Sequence, residues 1–419
     1  MENTMLINSL PAVVDDSKII IFSPYKKLIV SFPAEKDMEE IKSELIGLDM
    51  EGKPGSLSLV DDSVGKIIIC TTYRCNLRCK YCFVNAGCKK APELPFVIVE
   101  KAINKIMKTG ISRLKIHFFG GEPTLNFGAI KKTVEFTKKL GNLAVDFEIT
   151  TNGMVSEKKL KYMIDNNFIF SVSLDGTSDI HNFHRPTTGG GNSFDTVMRT
   201  INRLVKNGSP FRVRSTVTSV SVSHMPKIVR HFANIGIPIV HFEAFVPFGR
   251  GEEIIHLKPD PETYAAKFIQ SIDVAEQMGI KVTEFTLFQL FNPLIQKCFS
   301  MYRRRFVLMP DGNITFCLGA QSNRSDLENA FYIGRYDPEM NDVVLAEDKI
   351  DLLRKKFPVD AIKRCRNCFA KYICCGICPA HNIIINNDPT IIDDFGCIVR
   401  KRLIKDAIIR IWKQSERSL

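Results

Sequence analysis

Between residue 66 and about residue 248, the chain alternates short apolar runs with longer amphipathic segments. The apolar runs are typical of strands, and they lie at residues 66–70, 114–119, 145–150, 169–174, 211–216 and 239–245. In the segments between them, apolar residues recur at three- and four-residue spacing, as at Val99, Ile103 and Ile106. This spacing predicts helices at residues 95–109, 126–140, 156–166, 193–207 and 225–235. Six such alternations predict parallel strands with right-handed crossovers, in either a partial barrel or an open doubly wound sheet.

The segments around this α/β region are different in character. Residues 1–65 predict a small α+β element, with a hairpin of strands at 19–22 and 27–32 followed by a helix at 39–45. The full predicted division is 1–65, the alternating region 66–258, a helical bridge 259–297, a cysteine-rich domain 298–397 and a C-terminal helix 398–419.

Composition excludes some classes of protein. The 419 residues are 45 % hydrophobic and 25 % charged, as in an ordinary globular protein. No apolar run reaches the roughly 18 residues of a membrane helix, and the first residues lack a secretory pattern, so we expect a cytoplasmic protein without a membrane partner. The net charge of +11 does not indicate nucleic-acid binding, because the basic residues are scattered; it would suit an acidic peptide.

Three of the thirteen cysteines follow the first strand of the alternating region, as Cys75-x3-Cys79-x2-Cys82. Three thiolates on one loop can hold three irons of a [4Fe–4S] cluster and leave the fourth iron open for reaction. The alternative is a zinc site or buried structural thiols, but zinc usually takes four ligands in paired arms.

This loop, with Tyr81 before its third cysteine, resembles the cluster loop of radical S-adenosylmethionine (SAM) enzymes. The resemblance implies a partial (β/α)6 TIM-like barrel, SAM bound at the open iron, and cleavage of SAM to a 5′-deoxyadenosyl radical after reduction by a flavodoxin- or ferredoxin-type partner. The strand end Gly120, Gly121, Glu122 and Pro123 resembles the family motif that binds the methionyl amine of SAM.

Two further strand ends, and the segment after the second of them, carry polar residues that the resemblance places beside SAM. Asn152, Ser173 and Asp175 would lie near its ribose and carboxylate, and Arg185 would pair with the carboxylate. The alternative is ordinary turn chemistry, because Asn-Gly and Asp-Gly are common turn dipeptides. Two nearby histidines, His181 and His184, receive no role.

A second group of cysteines resembles the SPASM extension of radical SAM proteins, which holds two auxiliary [4Fe–4S] clusters. By this resemblance the distal cluster has four ligands, Cys365, Cys368, Cys374 and Cys397. The nearer cluster has three, Cys298, Cys317 and Cys378, so an open iron could bind a substrate thiolate. Zinc is again the alternative for this region, Cys375 could compete with Cys374, and we expect Cys70 and Cys88 to be free thiols.

The resemblance implies an enzyme that modifies a small ribosomally made precursor peptide or a protein. We favour thioether crosslinks from cysteine sulfur to carbon, with a carbon–carbon link or epimerisation as alternatives. Formylglycine formation in sulfatases is disfavoured, because those enzymes carry an Asp where this chain has Leu318.

Residues 1–65 would be a cap on the barrel or a reduced leader-binding region. No residue stands out as proton acceptor; Glu243 would face the barrel mouth only if the strand register is as predicted. A non-enzymatic zinc or iron–sulfur regulatory module would leave the Gly-Gly-Glu-Pro strand end unexplained.

Overall fold

The computed structural model describes residues 3–50, 63–87, 93–141, 143–290, 305–322, 324–355 and 358–417. Cys88 and Cys298 therefore lie outside the described residues.

The N-terminal element is a four-stranded antiparallel meander followed by a helix. Its elements are β1 (Thr4–Ile7), β2 (Leu10–Asp15), β3 (Lys18–Ser23), β4 (Leu28–Pro33) and α1 (Met38–Gly47). Asp37 caps α1 by accepting a hydrogen bond from the Glu39 amide at 2.8 Å. The sequence analysis predicted only β3, β4 and the helix. Residues of β2 and β3, among them Val13 and Phe22, share a core with the C-terminal helix.

The six predicted strands of the alternating region form one parallel sheet, as expected. They are β5 (Val64–Cys70), β6 (Arg113–Phe119), β7 (Ala144–Thr151), β8 (Ile169–Ser173), β9 (Phe211–Val217) and β10 (Ile239–Ala244). The five predicted helices are also present, as α2 (Phe96–Met107), α3 (Phe127–Thr137), α4 (Glu157–Asp165), α6 (Phe194–Lys206) and α7 (Met225–Asn234). A short helix after β8, α5 (Ser178–His184), was not predicted.

The parallel sheet is wider than six strands. In the predicted helical bridge, α8 (Pro261–Met278) is followed by β11 (Lys281–Thr283), which pairs in parallel with β10, and by α9 (Phe285–Gln289). At the other edge, β12 (Arg305–Leu308) pairs in parallel with β5. The predicted bridge is therefore not wholly helical, and the predicted cysteine-rich domain contributes a strand to the barrel sheet. Strands of three and four residues are too short to show a periodicity.

The remaining C-terminal elements extend the sheet and end in a long helix. The antiparallel strands β13 (Asn313–Thr315), β14 (Tyr332–Asp337) and β15 (Asp342–Leu345) follow β12 at the sheet edge. The helices are α10 (Ser325–Phe331), α11 (Glu347–Lys355), α12 (Lys371–Cys374), α13 (Pro379–Asn386) and α14 (Asp394–Glu416). Helix α14 begins before the predicted residue 398, so Cys397 lies in its first turn.

The two faces of the barrel strands have different surroundings, because successive side chains point to opposite faces. Ile67 and Ile69 of β5 pack into the main core beneath the surrounding helices. Ile68 and Cys70 point to the other face, with Phe119. Within the described residues, no helix is both long and apolar enough to cross a membrane.

Candidate functional site

The loop with the first three cysteines is fixed by hydrogen bonds from two directions. The amides of Arg78 and Lys80 donate to the carbonyls of Pro186 (2.7 Å) and His184 (2.9 Å). The guanidinium of Arg250, a residue that sequence reasoning missed, donates to the carbonyls of Cys79 (2.9 Å) and Ala86 (2.7 Å). The loop is therefore anchored by the segment after β8 and by the segment after β10.

Each of the three sulfurs accepts at least one N–H group. Leu77 N lies 3.4 Å and Asn152 Nδ2 3.6 Å from Cys75 Sγ. Arg185 Nη1 lies 3.9 Å from Cys79 Sγ, and Ala86 N lies 3.4 Å from Cys82 Sγ.

The N–H groups favour the thiolate form of these cysteines, whereas burial of two of them favours the protonated thiol. Burial raises the pKa of Cys75 to about 12 and that of Cys79 to about 11. Iron must therefore displace the thiol protons when it binds.

The two glycines of the strand end after β6 allow contact with this loop. Gly120 has φ of 137°, and a Cβ there would lie 2.5 Å from the Thr72 carbonyl oxygen. A Cβ on Gly121 would lie 2.2 Å from the Arg74 carbonyl oxygen. Both glycines also line the cavity described below. The close approach that these glycines permit is thus made to the cysteine loop itself.

Glu122 and Pro123 are buried behind this surface rather than exposed in it. Glu122 is fully buried, and its carboxylate accepts hydrogen bonds from Thr124 N (3.1 Å), Thr151 Oγ1 (2.9 Å) and Asn152 N (2.8 Å). Burial raises its pKa, and these hydrogen bonds act against that rise. Glu122 therefore joins the ends of β6 and β7. Its predicted contact with the SAM amine does not fit this placement.

Asn152 and Ser173 both line the cavity. The Asn152 amide donates to Asn76 Oδ1 at 2.7 Å, and its oxygen accepts from the Met154 amide at 2.8 Å. These contacts fix the side chain between the cysteine loop and the end of β7.

Asp175 and Arg185 form a buried pair. Arg185 Nε and Nη2 donate to the two carboxylate oxygens at 3.0 and 3.1 Å, and the Tyr81 hydroxyl and Thr216 amide donate to the same group. Burial disfavours the carboxylate, but Arg185 and His184 hold its pKa below the ordinary value. The charge of Arg185 is thus already balanced, so the structure does not place it free for the SAM carboxylate, and fully buried Asp175 is not at the rim.

The two neighbouring histidines are structural. His181 Nε2 lies 3.0 Å from Ser193 Oγ, and His184 Nε2 lies 2.9 Å from Thr218 Oγ1. Both side chains are buried, which agrees with the absence of a role for them in the sequence analysis.

One cavity of about 420 Å³ joins the first cysteine loop to the C-terminal region. Its wall contains all three loop cysteines and also two of the cysteines assigned to the nearer auxiliary cluster, Cys317 and Cys378. The third, Cys298, lies outside the described residues. The cavity is largely apolar, with Phe83, Phe245 and other aromatic side chains in its wall.

Arg214 and Glu243 add a charged pair to this cavity. They are on β9 and β10, and Arg214 Nη2 donates to Glu243 Oε2. Glu243 therefore faces the barrel mouth, so the predicted strand register holds. The surrounding protein tends to raise the pKa of Glu243, but Arg214 and His241 hold it below the ordinary value.

The four cysteines assigned to the distal cluster line a second, small cavity of about 20 Å³. Arg364, Lys371 and Lys401 also line it, and such cations would compensate the negative charge of a thiolate-ligated cluster. Cys374 Sγ accepts from Arg400 Nη1 at 3.8 Å. Cys375 is buried and donates to the Tyr372 carbonyl at 3.5 Å, so Cys374 is the better candidate ligand.

The donor sets fit iron–sulfur clusters better than single ions. Within the described residues, no group of three or more His, Cys, Asp or Glu side chains converges on one metal position. The thiols are instead spread around cavities, as ligands of separate irons must be. Cys70 is buried in the core and lines neither cavity.

The comparisons with known proteins agree with this arrangement. The family model described as the radical SAM superfamily matches residues 69–222. The chain is 29 % identical over 179 residues to the cysteine-type anaerobic sulfatase-maturating enzyme of Clostridium novyi, covering 41 % of this chain and 48 % of that relative. It is 27 % identical over 188 residues to the radical SAM cyclopropyl synthase of Paramaledivibacter caminithermalis, covering 41 % of this chain and 39 % of that relative. The match thus spans half or less of each of these two relatives.

Solved structures extend the likeness to most of the chain. The structure of native anSMEcpe with bound AdoMet has a TM-score of 0.70 at 19 % identity, covering 84 % of this chain and 99 % of that one. The structure of Streptococcus suis SuiB bound to precursor peptide SuiA has a TM-score of 0.57 at 14 % identity, covering 94 % of this chain and 99 % of that one. Residues 69–222 therefore match the radical SAM superfamily, and the fold of most of the chain is similar to those of anSMEcpe and SuiB.

Proposed function

We propose that this protein is a radical SAM peptide maturase that forms thioether links between a cysteine sulfur and a carbon of its substrate. The observation that carries the proposal is the shared cavity, in which Cys75, Cys79 and Cys82 face Cys317 and Cys378. A substrate in this space would be exposed to both sites at once.

Two cofactor types are needed for this reaction. With SAM bound, the cluster held by Cys75, Cys79 and Cys82 would supply a 5′-deoxyadenosyl radical, and a nearer auxiliary cluster held by Cys317, Cys378 and Cys298 would supply an open iron for a thiolate and an acceptor for one electron. The distal site, Cys365, Cys368, Cys374 and Cys397, would pass that electron to a ferredoxin- or flavodoxin-type carrier.

The residues of the chain prepare the cavity for such a reaction. The aromatic side chains in the wall offer an apolar surface, which would favour exclusion of water once substrate fills the cavity and so protect a carbon radical. Arg185 and Asp175 fix the loop around Cys79, and Asn152 fixes the position next to Cys75. Arg214 and Glu243 give the cavity one cation and one anion that can orient the polar groups of a peptide.

The substrate class is supported by the two structural relatives that were solved with peptides. These are anSMEcpe with the Cp18Cys peptide and SuiB with precursor peptide SuiA. Because the cavity must also hold SAM, such a peptide would insert a side chain while most of the substrate stays outside.

A second candidate is oxidation of a cysteine to formylglycine, because several relatives are sulfatase-maturating enzymes. Leu318, which lines the cavity directly after Cys317, is apolar and cannot accept a proton. This position favours the thioether reaction over formylglycine formation.

Mass spectrometry of a cysteine-bearing candidate peptide, incubated anaerobically with reconstituted enzyme, SAM and reductant, tests the proposal. We expect loss of two hydrogens per link and a sulfur that no longer reacts with an alkylating reagent. Exchange of sulfur for a carbonyl oxygen would support formylglycine instead. Uptake of solvent deuterium without a change of composition would support epimerisation.

Two variants serve as controls in this experiment. Cys75→Ala removes a ligand of the SAM-binding cluster and should abolish every change in the peptide. Cys375→Ala removes a buried thiol that lines neither cavity and should leave the product unchanged. A product formed equally by Cys75→Ala and the unaltered enzyme would contradict radical chemistry at this site.

A further inference from the structure

The wall of the shared cavity contains a histidine that none of the cysteine motifs explains. His381 is in α13, the helix that begins directly after Cys378, and 19 % of its side chain is exposed. It lines the cavity together with Cys317, Leu318 and Cys378.

Packing between two segments brings His381 to this position. A Cβ built on Gly319 would lie 3.9 Å from the Cβ of Ala380 and 3.3 Å from Cys317 Sγ. The turn after Cys317 therefore packs against the first turn of α13. Leu318 and His381 consequently lie in one wall, although 63 positions separate them in the chain.

A carboxylate lies beside the imidazole of His381. Its Nε2 lies 3.5 Å from Asp393 Oδ2, and among the described residues it has no hydrogen-bond partner within the usual distance. Asp393 is itself fixed, because its Oδ2 accepts from the Gly396 amide at 2.9 Å and its amide donates to Asn382 Oδ1 at 3.3 Å. A carboxylate beside Nε2 favours the tautomer with its proton there, which leaves the lone pair on Nδ1.

We propose that His381 is the proton acceptor for the substrate thiol, taking the function that Leu318 cannot perform. The S–H bond breaks, its electron pair stays on sulfur, and a new N–H bond forms at Nδ1 of His381. The proton later returns to solvent through the open side of the cavity. This inference rests on the proposed function, because it assumes a cysteine in the substrate.

The imidazole of His381 is neutral before the reaction. Burial lowers its pKa to about 4, so the imidazole is neutral at pH 7 and its lone pair is available. Asp393 and Glu243 act to raise the pKa, while Arg400 and Lys258 act to lower it. The two carboxylates stabilise the imidazolium once it has formed.

Glu243 is the weaker candidate for the same step. Its carboxylate already accepts a hydrogen bond from Arg214. A carboxylate already held by a guanidinium is a poor base, so Glu243 is assigned to positioning.

The variant His381→Gln tests the inference in the reconstituted full-length enzyme. Glutamine is similar in size and polar, but it cannot accept the proton. We expect iron content and peptide affinity close to those of the unaltered enzyme, and continued peptide-dependent formation of 5′-deoxyadenosine. The rate of crosslinking should fall about 10²- to 10³-fold, the usual contribution of a general base. The exposed His256, replaced by Gln in the same way, is the matched control and should leave the rate unchanged.

A selenocysteine peptide separates a proton acceptor from a merely structural residue. A selenol ionises at lower pH than a thiol and does not need a base. His381→Gln should therefore crosslink the selenocysteine peptide at nearly the unaltered rate, and a structural defect would impair both peptides equally. If the variant fails to bind iron, His381→Asn takes its place, because asparagine is also polar and cannot accept the proton.

The outcomes distinguish this inference from the proposed function. If the unaltered enzyme forms no crosslink with any cysteine peptide, the proposed function fails. If it forms crosslinks and His381→Gln forms them at the same rate with the same pH dependence, His381 is not the acceptor and the proposed function stands.

Discussion

Arg185 holds Asp175 through two parallel hydrogen bonds of 3.0 and 3.1 Å, and its remaining nitrogen lies 3.9 Å from the sulfur of Cys79. The guanidinium also lies over the Tyr81 ring, at 5.2 Å from the centroid. One buried ion pair thereby connects the end of β8 to the middle of the cysteine loop. We infer that it fixes the loop more than it binds a ligand.

Asp175→Asn should destabilise the protein, because it leaves the Arg185 charge buried without its partner. We expect a loss of about 3 to 5 kcal/mol in the free energy of unfolding, measured by anaerobic denaturant titration. The matched control is Asp146→Asn, which breaks a similar two-point pair with the half-exposed Arg113. That change should lower the free energy of unfolding by no more than about 1 kcal/mol. Equal losses of stability in the two variants would contradict a special role for the buried Arg185–Asp175 pair.

Gly121→Ala should prevent the cysteine loop from packing on the end of β6. The added Cβ would lie 2.2 Å from a backbone oxygen of Arg74, and neither backbone can move without breaking the hydrogen bond from Glu122 N to that oxygen (2.8 Å). We expect loss of the SAM-binding cluster, measured as about four fewer irons per chain after reconstitution. Gly128→Ala, in α3 with open space around it, should instead be neutral or stabilising by up to about 1 kcal/mol. Full iron content in Gly121→Ala would refute this packing argument.

Glu122→Gln should reduce stability even in the absence of SAM. The Glu122 carboxylate accepts hydrogen bonds from the Thr151 hydroxyl and the Asn152 amide. In the variant, the side-chain NH2 group would face one of these donors and could not accept its hydrogen bond. One buried donor left without an acceptor costs about 1 to 3 kcal/mol, to be measured in SAM-free protein by denaturant titration. A variant with normal stability but weakened SAM binding would show that Glu122 contacts the ligand directly.

Cys374→Ala and Cys375→Ala should differ in iron content although the residues are adjacent. Cys374 lines the distal cavity, whereas Cys375 is directed to the Tyr372 carbonyl. We expect the first variant to lose about four irons of about twelve, measured with sulfide after anaerobic reconstitution, and the second to lose none. Loss of iron in Cys375→Ala but not in Cys374→Ala would show that Cys375, not Cys374, is the ligand of the distal cluster.

Stability should decrease as the pH is lowered from 7.5 to 5.5, and His181 should contribute to the decrease. Burial lowers the pKa of His181 from 6.5 to about 4, so between these values the unfolded chain binds a proton that the folded protein does not. The free energy of unfolding therefore falls with decreasing pH, by up to about 1.4 kcal/mol per pH unit for this group. His181→Gln should give a shallower dependence in urea titrations at several pH values. An unchanged slope would show that other groups account for the whole effect.

The sequence predicted the parallel region well, because buried strands and amphipathic helices of ordinary length leave a clear periodicity. Strands β5 to β10 and five of the helices between them are where the pattern placed them, whereas the seven-residue α5 was missed. Strands β11 and β12 were missed because three or four residues show no period, and their places in the sheet depend on pairing with β10 and β5. In the N-terminal element, β1 was missed for the same reason, since it has only four residues, whereas β2 was missed although it is as long as β3 and β4.

By itself, the sequence determined the chemical class of this protein. Cysteine spacings on one loop and in the C-terminal region indicate clusters, because thiolate ligands on short segments leave a local signature. The tertiary structure decided what the spacing could not. It placed Glu122 and Asp175 in internal hydrogen bonds, and it brought Cys317, Cys378 and His381 to the cavity of the first cysteine loop. The physical reason is that such contacts depend on the packing of segments far apart in the chain, and no local pattern encodes them.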